Sequence, residues 1–63
     1  MKKPQVAPDE IYTVEDTCSQ LGIDRRTLRR WTAEGSIQSR IRRADKRIVY
    51  TGKDIISCYT TLI

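Results

Sequence analysis

The chain has no histidine, no phenylalanine, one tryptophan, two cysteines, two prolines and three glycines among its 63 residues. Because histidine is absent and no C-x-x-C motif occurs, a zinc site is almost excluded. Cys18 and Cys58 fit a pair of buried, reduced thiols better than a disulfide framework. No nucleophile–base pair is recognisable either, so we expect a protein that is not an enzyme and needs no cofactor or metal.

Long apolar stretches are missing as well. No run approaches the ~20 apolar residues that a membrane-spanning helix requires, and the N-terminal sequence MKKPQVAPDE lacks the apolar stretch of a signal peptide. We therefore expect a cytoplasmic protein without a membrane partner. A chain of this length forms one domain with a marginal core, since it buries only ~60% of the surface that its unfolded form exposes.

Positive charge is plentiful and unevenly placed. Nine of the twelve Lys and Arg residues lie between Arg25 and Arg47, where only two of the eight acidic residues occur. Such a polarised charge favours a polyanionic partner on one side of the molecule. The alternative is a solvated face that only maintains solubility, but clustered arginines repel one another and make that alternative less favourable.

The densest group of cations lies in DRRTLRRWTAE, residues 24–34, which is typical of a short helix. Asp24 is a suitable N-cap, and Gly35 fits the left-handed position after the last turn. Leu28 and Trp31 predict one buried edge, so we interpret Trp31 as a core residue rather than a base-stacking one. About ten helical residues span roughly 15 Å, enough to cross a DNA major groove. The remaining faces carry Arg25, Arg26, Arg29 and Arg30.

A second helix is predicted immediately before this one. Thr13 begins a capping signature, and Val14, Cys18 and Leu21 recur at helical spacing up to Gly22. The two helices are joined by three residues, 22–24, which predicts a helix-turn-helix whose second helix enters a DNA groove. Residues 1–10 contain both prolines and no periodicity, so we expect a flexible N-terminal arm before a domain over residues 11–63.

After Gly35 the apolar period changes from 3.6 to 2, which predicts a β-hairpin. We expect isoleucines 37, 41 and 48 and Tyr50 to point inward, and Val49 and the arginines outward. The turn contains no glycine, so a four-residue connection over 43–46 is expected. Residues 51–54 are a T-x-x-D cap that opens a last helix, with Ile55, Tyr59 and Leu62 as its core edge.

The segments IYTVEDTCSQLGIDRRTLRRWTAEGSI and RIVYTGKDI resemble the MerR-type winged helix-turn-helix superfamily, and the resemblance covers residues 11–62. Its most specific part is L-G-I-D-x-R-T-L-R-R-W-x-x-E-G, residues 21–35. It implies a mainly α fold with a small β-hairpin, arranged as a helix-turn-helix, a two-stranded wing and a C-terminal helix. The sequence is most similar to short excisionases (recombination directionality factors) and stand-alone MerR-like regulators.

The resemblance also implies a function and a set of contacts. The protein is expected to bind double-stranded DNA sequence-specifically as an excisionase of a phage or mobile element, with copies in head-to-tail arrays that bend DNA, beside an integrase. The alternatives are a MerR-like transcription regulator acting with RNA polymerase, and a protein-interaction adaptor with a cationic docking face. Contacts are implied from Arg25, Arg26, Thr27, Arg29 and Arg30 on the recognition helix. Wing contacts are implied from Arg40, Arg42, Arg43, Lys46 and Arg47.

Overall fold

The computed structural model describes residues 2–62, which form three helices and one three-stranded antiparallel sheet. This order confirms the predicted helix-turn-helix, hairpin and C-terminal helix. In chain order the elements are β1 (Ile11–Thr13), α1 (Val14–Leu21), α2 (Arg25–Glu34), β2 (Arg40–Ile41), β3 (Ile48–Thr51) and α3 (Gly52–Leu62).

The ends of the first two helices follow from local chemistry, as predicted. The Asp16 N–H donates to the hydroxyl of Thr13 (3.1 Å), which caps α1. The Thr27 N–H donates to the carboxylate of Asp24 (2.7 Å), which caps α2. Gly22 ends α1 with φ +66°, a left-handed conformation that glycine adopts without a steric penalty. These local contacts fix the length and the start of the recognition helix α2.

The sheet has one strand more than the sequence predicted. β3 lies in the middle and pairs with β2 on one side and with β1 on the other, where Tyr12 stands opposite Tyr50. The sequence indicated only a brief extended segment there, because the three residues of β1 are too few to display a period of two. The third strand joins the hairpin to the start of α1.

The core lies between the helices and the sheet. Its buried side chains include Leu21, Leu28, Tyr50 and Ile55, and the half-buried Trp31 packs against them, as predicted. The buried apolar residues are Cys18, Leu21, Leu28, Ile37, Val49, Tyr50, Ile55 and Cys58. Thr17 is also buried, and its hydroxyl donates to the Thr13 carbonyl (2.8 Å), so this polar side chain is satisfied within the helix.

The predicted alternation in the hairpin is wrong at three positions. Ile41 and Ile48 face each other across β2 and β3 but are 62% and 47% exposed, whereas Val49 is buried. The isoleucine pair is therefore not covered by a second layer. Val49 belongs to the central strand and lies between Thr13 and Arg40 on the two neighbouring strands.

Six residues, 42–47, connect β2 to β3, and the hydrogen bond between the first and the last of them encloses the four residues, 43–46, that were predicted as the turn. The Arg42 N–H donates to the Arg47 carbonyl (2.9 Å), and the Lys46 N–H donates to the Arg42 carbonyl (2.7 Å). Lys46 takes up the left-handed conformation, with φ +56°, that a glycine often supplies in such turns. We refer to residues 40–51 as the wing.

The last helix begins with the predicted reciprocal cap. The Asp54 N–H donates to the Thr51 hydroxyl (3.1 Å), and the Thr51 N–H donates to the Asp54 carboxylate (3.3 Å). Ile55 is fully buried, but Leu62, which was expected at the core edge, is 41% exposed because it lies in the last turn. Ile63, the last residue of the predicted domain, lies outside the described residues.

Residues 2–10 contact the domain over most of their length. The Lys2 N–H donates to the Leu21 carbonyl (2.8 Å), and the N–H groups of Gly52 and Lys53 donate to the Glu10 and Pro8 carbonyls (2.9 and 3.2 Å). Val6 packs against the core. In the structure this segment therefore lies against α1 and α3, and the flexibility expected for it stays a prediction.

Candidate nucleic-acid interface

The recognition helix α2 presents three different surfaces. At about 100° per residue, Leu28 and Trp31 turn towards the core, and Arg26 and Ala33 occupy the middle of the outward face. Arg29 lies beside them on the side that borders the wing, and Arg25 lies further towards that edge. Arg30 lies on the opposite side, where its guanidinium is 3.9 Å from the Glu34 carboxylate. The arginines are therefore spread around an exposed arc rather than aligned in one row.

An open cleft of about 740 Å³ separates α2 from the wing. Arg25 and Arg29 line it from the helix, and Arg42 and Arg47 line it from the wing. The start of α1 closes one end of this helix–wing cleft. The complete lining is Thr13, Val14, Glu15, Arg25, Leu28, Arg29, Thr32, Ala33, Arg42, Arg47, Ile48, Val49 and Tyr50. The structure thus brings four of the ten predicted contact residues to one concave surface.

A hydroxyl pair sets the distance between the helix and the wing. The Thr32 hydroxyl donates to the Leu28 carbonyl (2.8 Å) one helical turn earlier. It therefore accepts the hydrogen bond that joins it to the Tyr50 hydroxyl (2.7 Å) on β3. Because Tyr50 and Leu28 are both buried in the core, this hydrogen bond links α2 to β3 at the bottom of the cleft.

The wing tip is organised by one carboxylate. Two N–H groups of the Arg42 guanidinium donate to the two Asp45 oxygens (3.1 and 2.5 Å), a bidentate pair, and the backbone N–H of Arg47 donates to the same side chain (3.2 Å). These hydrogen bonds, that from Arg42 first, lower the pKa of Asp45 to about 2. They also raise the pKa of Arg42. Asp45 thus holds Arg42 in one orientation at the wing tip.

The remaining predicted wing residues are placed in two ways. Arg40 is turned towards α3, where its guanidinium donates to the Asp54 carboxylate (3.1 Å). Burial alone would raise the pKa of Asp54, but the bonds from Arg40 and Thr51 outweigh it, so the pKa is lowered. Arg43 and Lys46 are exposed at the wing tip, without an ion pair among residues 2–62. Arg40 thus already has a partner within the fold.

Two further α2 positions complete the predicted set. Thr27 is half-buried in the first turn, where its N–H is taken by the Asp24 cap. The Thr27 side chain, and after it the Thr27 N–H, lowers the pKa of Asp24 by hydrogen bonding to its carboxylate. Arg26 and Arg29 are exposed and have no ion pair in the described part of the chain. DNA contact by all ten residues stays a prediction, and within residues 2–62 these two are the helix arginines without an ion pair.

Three residues of this surface were missed in the sequence. Glu15 lies at the start of α1, and its carboxylate accepts a hydrogen bond from the guanidinium of Arg25. Ala33 provides a small apolar position in the middle of the outward face, and Ile48 forms an apolar wall of the cleft. Helical spacing alone would have placed Ala33 on the outward face. The other two depend on contacts between separate elements, for which the sequence carries no local signal.

The other chemistry-bearing side chains give no second site. Cys18 and Cys58 are free and buried, and burial raises the pKa of both thiols. Within residues 2–62, no three His, Cys, Asp or Glu side chains are arranged to hold a metal ion. None of the helices in this part of the chain has the length and hydropathy to span a bilayer.

The fold and the surface together define a class. A helix-turn-helix whose second helix and adjacent hairpin present arginines to a common cleft is a winged helix-turn-helix domain, and domains of this kind bind DNA. Residues 11–57 match the family model described as "Helix-turn-helix domain", and the chain belongs to this family. The match supports a helix-turn-helix DNA-binding domain without specifying the MerR type. Comparison with curated proteins and with solved structures gave no match.

Proposed function

We propose that the protein binds double-stranded DNA sequence-specifically and acts as an excisionase, a recombination directionality factor of a phage or other mobile element. The observation that carries the DNA mode is the helix–wing cleft, in which Arg25 and Arg29 of α2 oppose Arg42 and Arg47 of the wing. Two cationic walls on either side of a concave surface complement a polyanion such as a DNA duplex. The proposed action is binding alone, without catalysis.

In this mode α2 lies in the major groove. Its ten residues form a rod of roughly 15 Å, which fits a groove about 12 Å wide. Arg26 and Arg29 lie on the outward face, and an arginine fork pairs bidentately with O6 and N7 of guanine. Ala33 lies one turn beyond Arg29 on the same face, where a small apolar side chain fits against a thymine methyl group.

The wing then contacts the flanking backbone. Arg42, Arg43, Lys46 and Arg47 surround its turn, and the first of these is held in one orientation by Asp45. If about four to six phosphates are neutralised in total, the logarithm of the affinity falls with the logarithm of the salt concentration at a slope of roughly −4 to −5. Arg40 adds little to this slope, because its guanidinium is turned towards α3 and bonded to the largely buried carboxylate of Asp54.

The excisionase role rests on the resemblance to short excisionases. It requires more sequence specificity than one domain can supply. A single helix and a single wing read only a few base pairs. Several copies bound side by side on direct repeats, together with an integrase on adjacent DNA, would supply the specificity and the bend that excision requires. A transcription regulator would instead bind next to RNA polymerase, so the position of the target site separates the two roles.

The first test is selection of bound duplexes from a random library at near-physiological salt, followed by sequencing. We expect enrichment of a short motif, repeated in one orientation at about one helical turn. Such motifs beside attachment sites support the excisionase, and motifs within promoters support the regulator. Recovery without any enriched motif would refute sequence-specific binding and favour an adaptor that docks an acidic protein.

The second test removes two arginines from the outward face of α2. Arg26→Ala combined with Arg29→Ala is expected to lower affinity for the selected duplex at least 10-fold, since each good base contact is worth about 1–3 kcal/mol. Lys3→Ala combined with Lys53→Ala removes the same charge outside the cleft and serves as the control. Circular dichroism checks that both variants fold. Equal losses in the two double variants would show that net charge, rather than α2, determines affinity.

A further inference from the structure

The helix–wing cleft contains one acidic residue among its lining side chains. Glu15 lies in the first turn of α1, and its carboxylate pairs with the Arg25 guanidinium across the helix-turn-helix. Both side chains are largely exposed, at 75% and 66%. A carboxylate on this surface repels the phosphates of any nucleic acid that enters the cleft.

Stability does not account for this carboxylate. Exposed ion pairs contribute little to folding. The favourable interaction of an acidic side chain with the positive end of α1 is already available from Asp16, and Thr13 supplies the cap. Glu15 therefore weakens general DNA affinity without a matching structural gain, and its position against Arg25 remains to be explained.

We propose that Glu15 is a positioning residue that makes Arg25 sequence-selective. The inference rests on the proposed binding of DNA in the cleft. The guanidinium of arginine has five N–H donors, so the carboxylate can hold one part of the group while another part remains free for a base edge. With Glu15 in place, the side chain of Arg25 is held at the edge of α2 that borders the cleft. Its guanidinium is then less free to move to a phosphate of the DNA backbone.

Two effects follow from this arrangement. The restrained guanidinium loses less freedom when it pairs with guanine, which favours the correct sequence. On any other sequence the pair must either break or bring its carboxylate close to phosphate, which penalises incorrect sites. Glu15 thus lowers affinity for DNA in general and raises the ratio between the correct and the incorrect duplex.

The matched control is the next residue in the chain. Asp16 has the same charge, lies in the same helical turn and is exposed, but it does not line the cleft. Glu15→Gln and Asp16→Asn therefore change the net charge and the helix-end electrostatics equally. Only the first of them disturbs the contact with Arg25.

The experiment measures the affinities of wild type, Glu15→Gln and Asp16→Asn for the selected duplex and for a scrambled duplex of equal length, by fluorescence anisotropy at one salt concentration. We expect Glu15→Gln to bind the scrambled duplex several-fold more tightly and to lower the selected-to-scrambled ratio about 10-fold. Asp16→Asn should tighten binding to both duplexes alike and leave the ratio unchanged. In an Arg25→Ala background, Glu15→Gln should no longer alter the ratio.

The outcomes distinguish this inference from the function on which it rests. If wild type discriminates between the duplexes but Glu15→Gln and Asp16→Asn shift the ratio equally, Glu15 acts only as a charge and the inference is overturned. An effect of Glu15→Gln that persists without Arg25 overturns it as well. If wild type binds both duplexes equally, the proposed sequence-specific function fails, and the inference fails with it.

Discussion

Substitution of Gly52 gives the sharpest test of whether residues 2–10 pack against α3. A Cβ atom at this position would lie 1.8 Å from the carbonyl oxygen of Ala7. The Ala7 carbonyl must therefore move by roughly 1.5 Å to restore ordinary van der Waals contact. That carbonyl accepts the Glu10 N–H (3.1 Å), and Glu10 in turn accepts the N–H of residue 52 (2.9 Å), so the displacement spreads through the segment.

The cost can be worked out from the contacts that are lost. Separation of the segment from α3 breaks the bonds from Gly52 and Lys53, worth about 1 kcal/mol each. It also re-exposes the half-buried Val6, worth roughly 1 kcal/mol more. Alanine in place of glycine returns up to about 1 kcal/mol through helix propensity. The net expectation for Gly52→Ala is a loss of about 2 kcal/mol, or roughly 10 °C in Tm for a domain of this size.

Thermal unfolding followed by circular dichroism measures this change. The informative comparison is the same substitution in a chain that starts at Asp9 and so lacks Ala7. There the steric conflict is gone, and we expect Gly52→Ala to raise the free energy of unfolding by up to about 1 kcal/mol. Unchanged or increased stability of Gly52→Ala in the full chain would refute the docking of residues 2–10 and support the flexible arm that the sequence predicted.

Two further predictions concern the wing. The pKa of Asp45 is lowered to about 2, so its pair with Arg42 contributes stability that is present above the ordinary carboxyl pKa and is lost as the pH falls towards 2. An NMR titration of the Asp45 carboxyl should have its midpoint near 2, and a midpoint near the ordinary ~3.9 contradicts the bidentate pair. Tyr50→Phe leaves the Thr32 hydroxyl bonded to the Leu28 carbonyl and should cost about 1 kcal/mol, whereas Thr32→Val leaves the Tyr50 hydroxyl without its partner and should cost about 1–3 kcal/mol. Urea unfolding compares the two variants, and equal losses argue against the assigned donor direction.

The helix-turn-helix itself could be predicted from the sequence because its determinants are local. Asp24 and Gly35 limit α2 through backbone contacts within a few residues, and Leu28 marks the buried face by spacing alone. The reciprocal cap of residues 51 and 54 is local in the same sense. Each of these signals depends on neighbours in the chain, so it is legible before any tertiary contact is known.

The hairpin shows where prediction from local sequence signals fails. Alternation in a strand separates two faces but does not say which face another layer covers. Ile41 and Ile48 match the pattern of a core strand, yet no second layer covers them and both stay exposed. Val49 is buried because a third strand, β1, pairs beside it. That strand comes from residues far away in the chain.

The charged residues also show which features are local and which depend on the tertiary structure. The sequence by itself determined that this is a cationic helix-turn-helix, because composition and spacing are properties of the chain. Only the tertiary structure decided which arginines share the helix–wing cleft and which are paired: Arg40 meets Asp54, and Arg25 meets Glu15. The physical reason is that an ion pair requires two side chains within a few ångströms, and folding brings these partners together from separate elements.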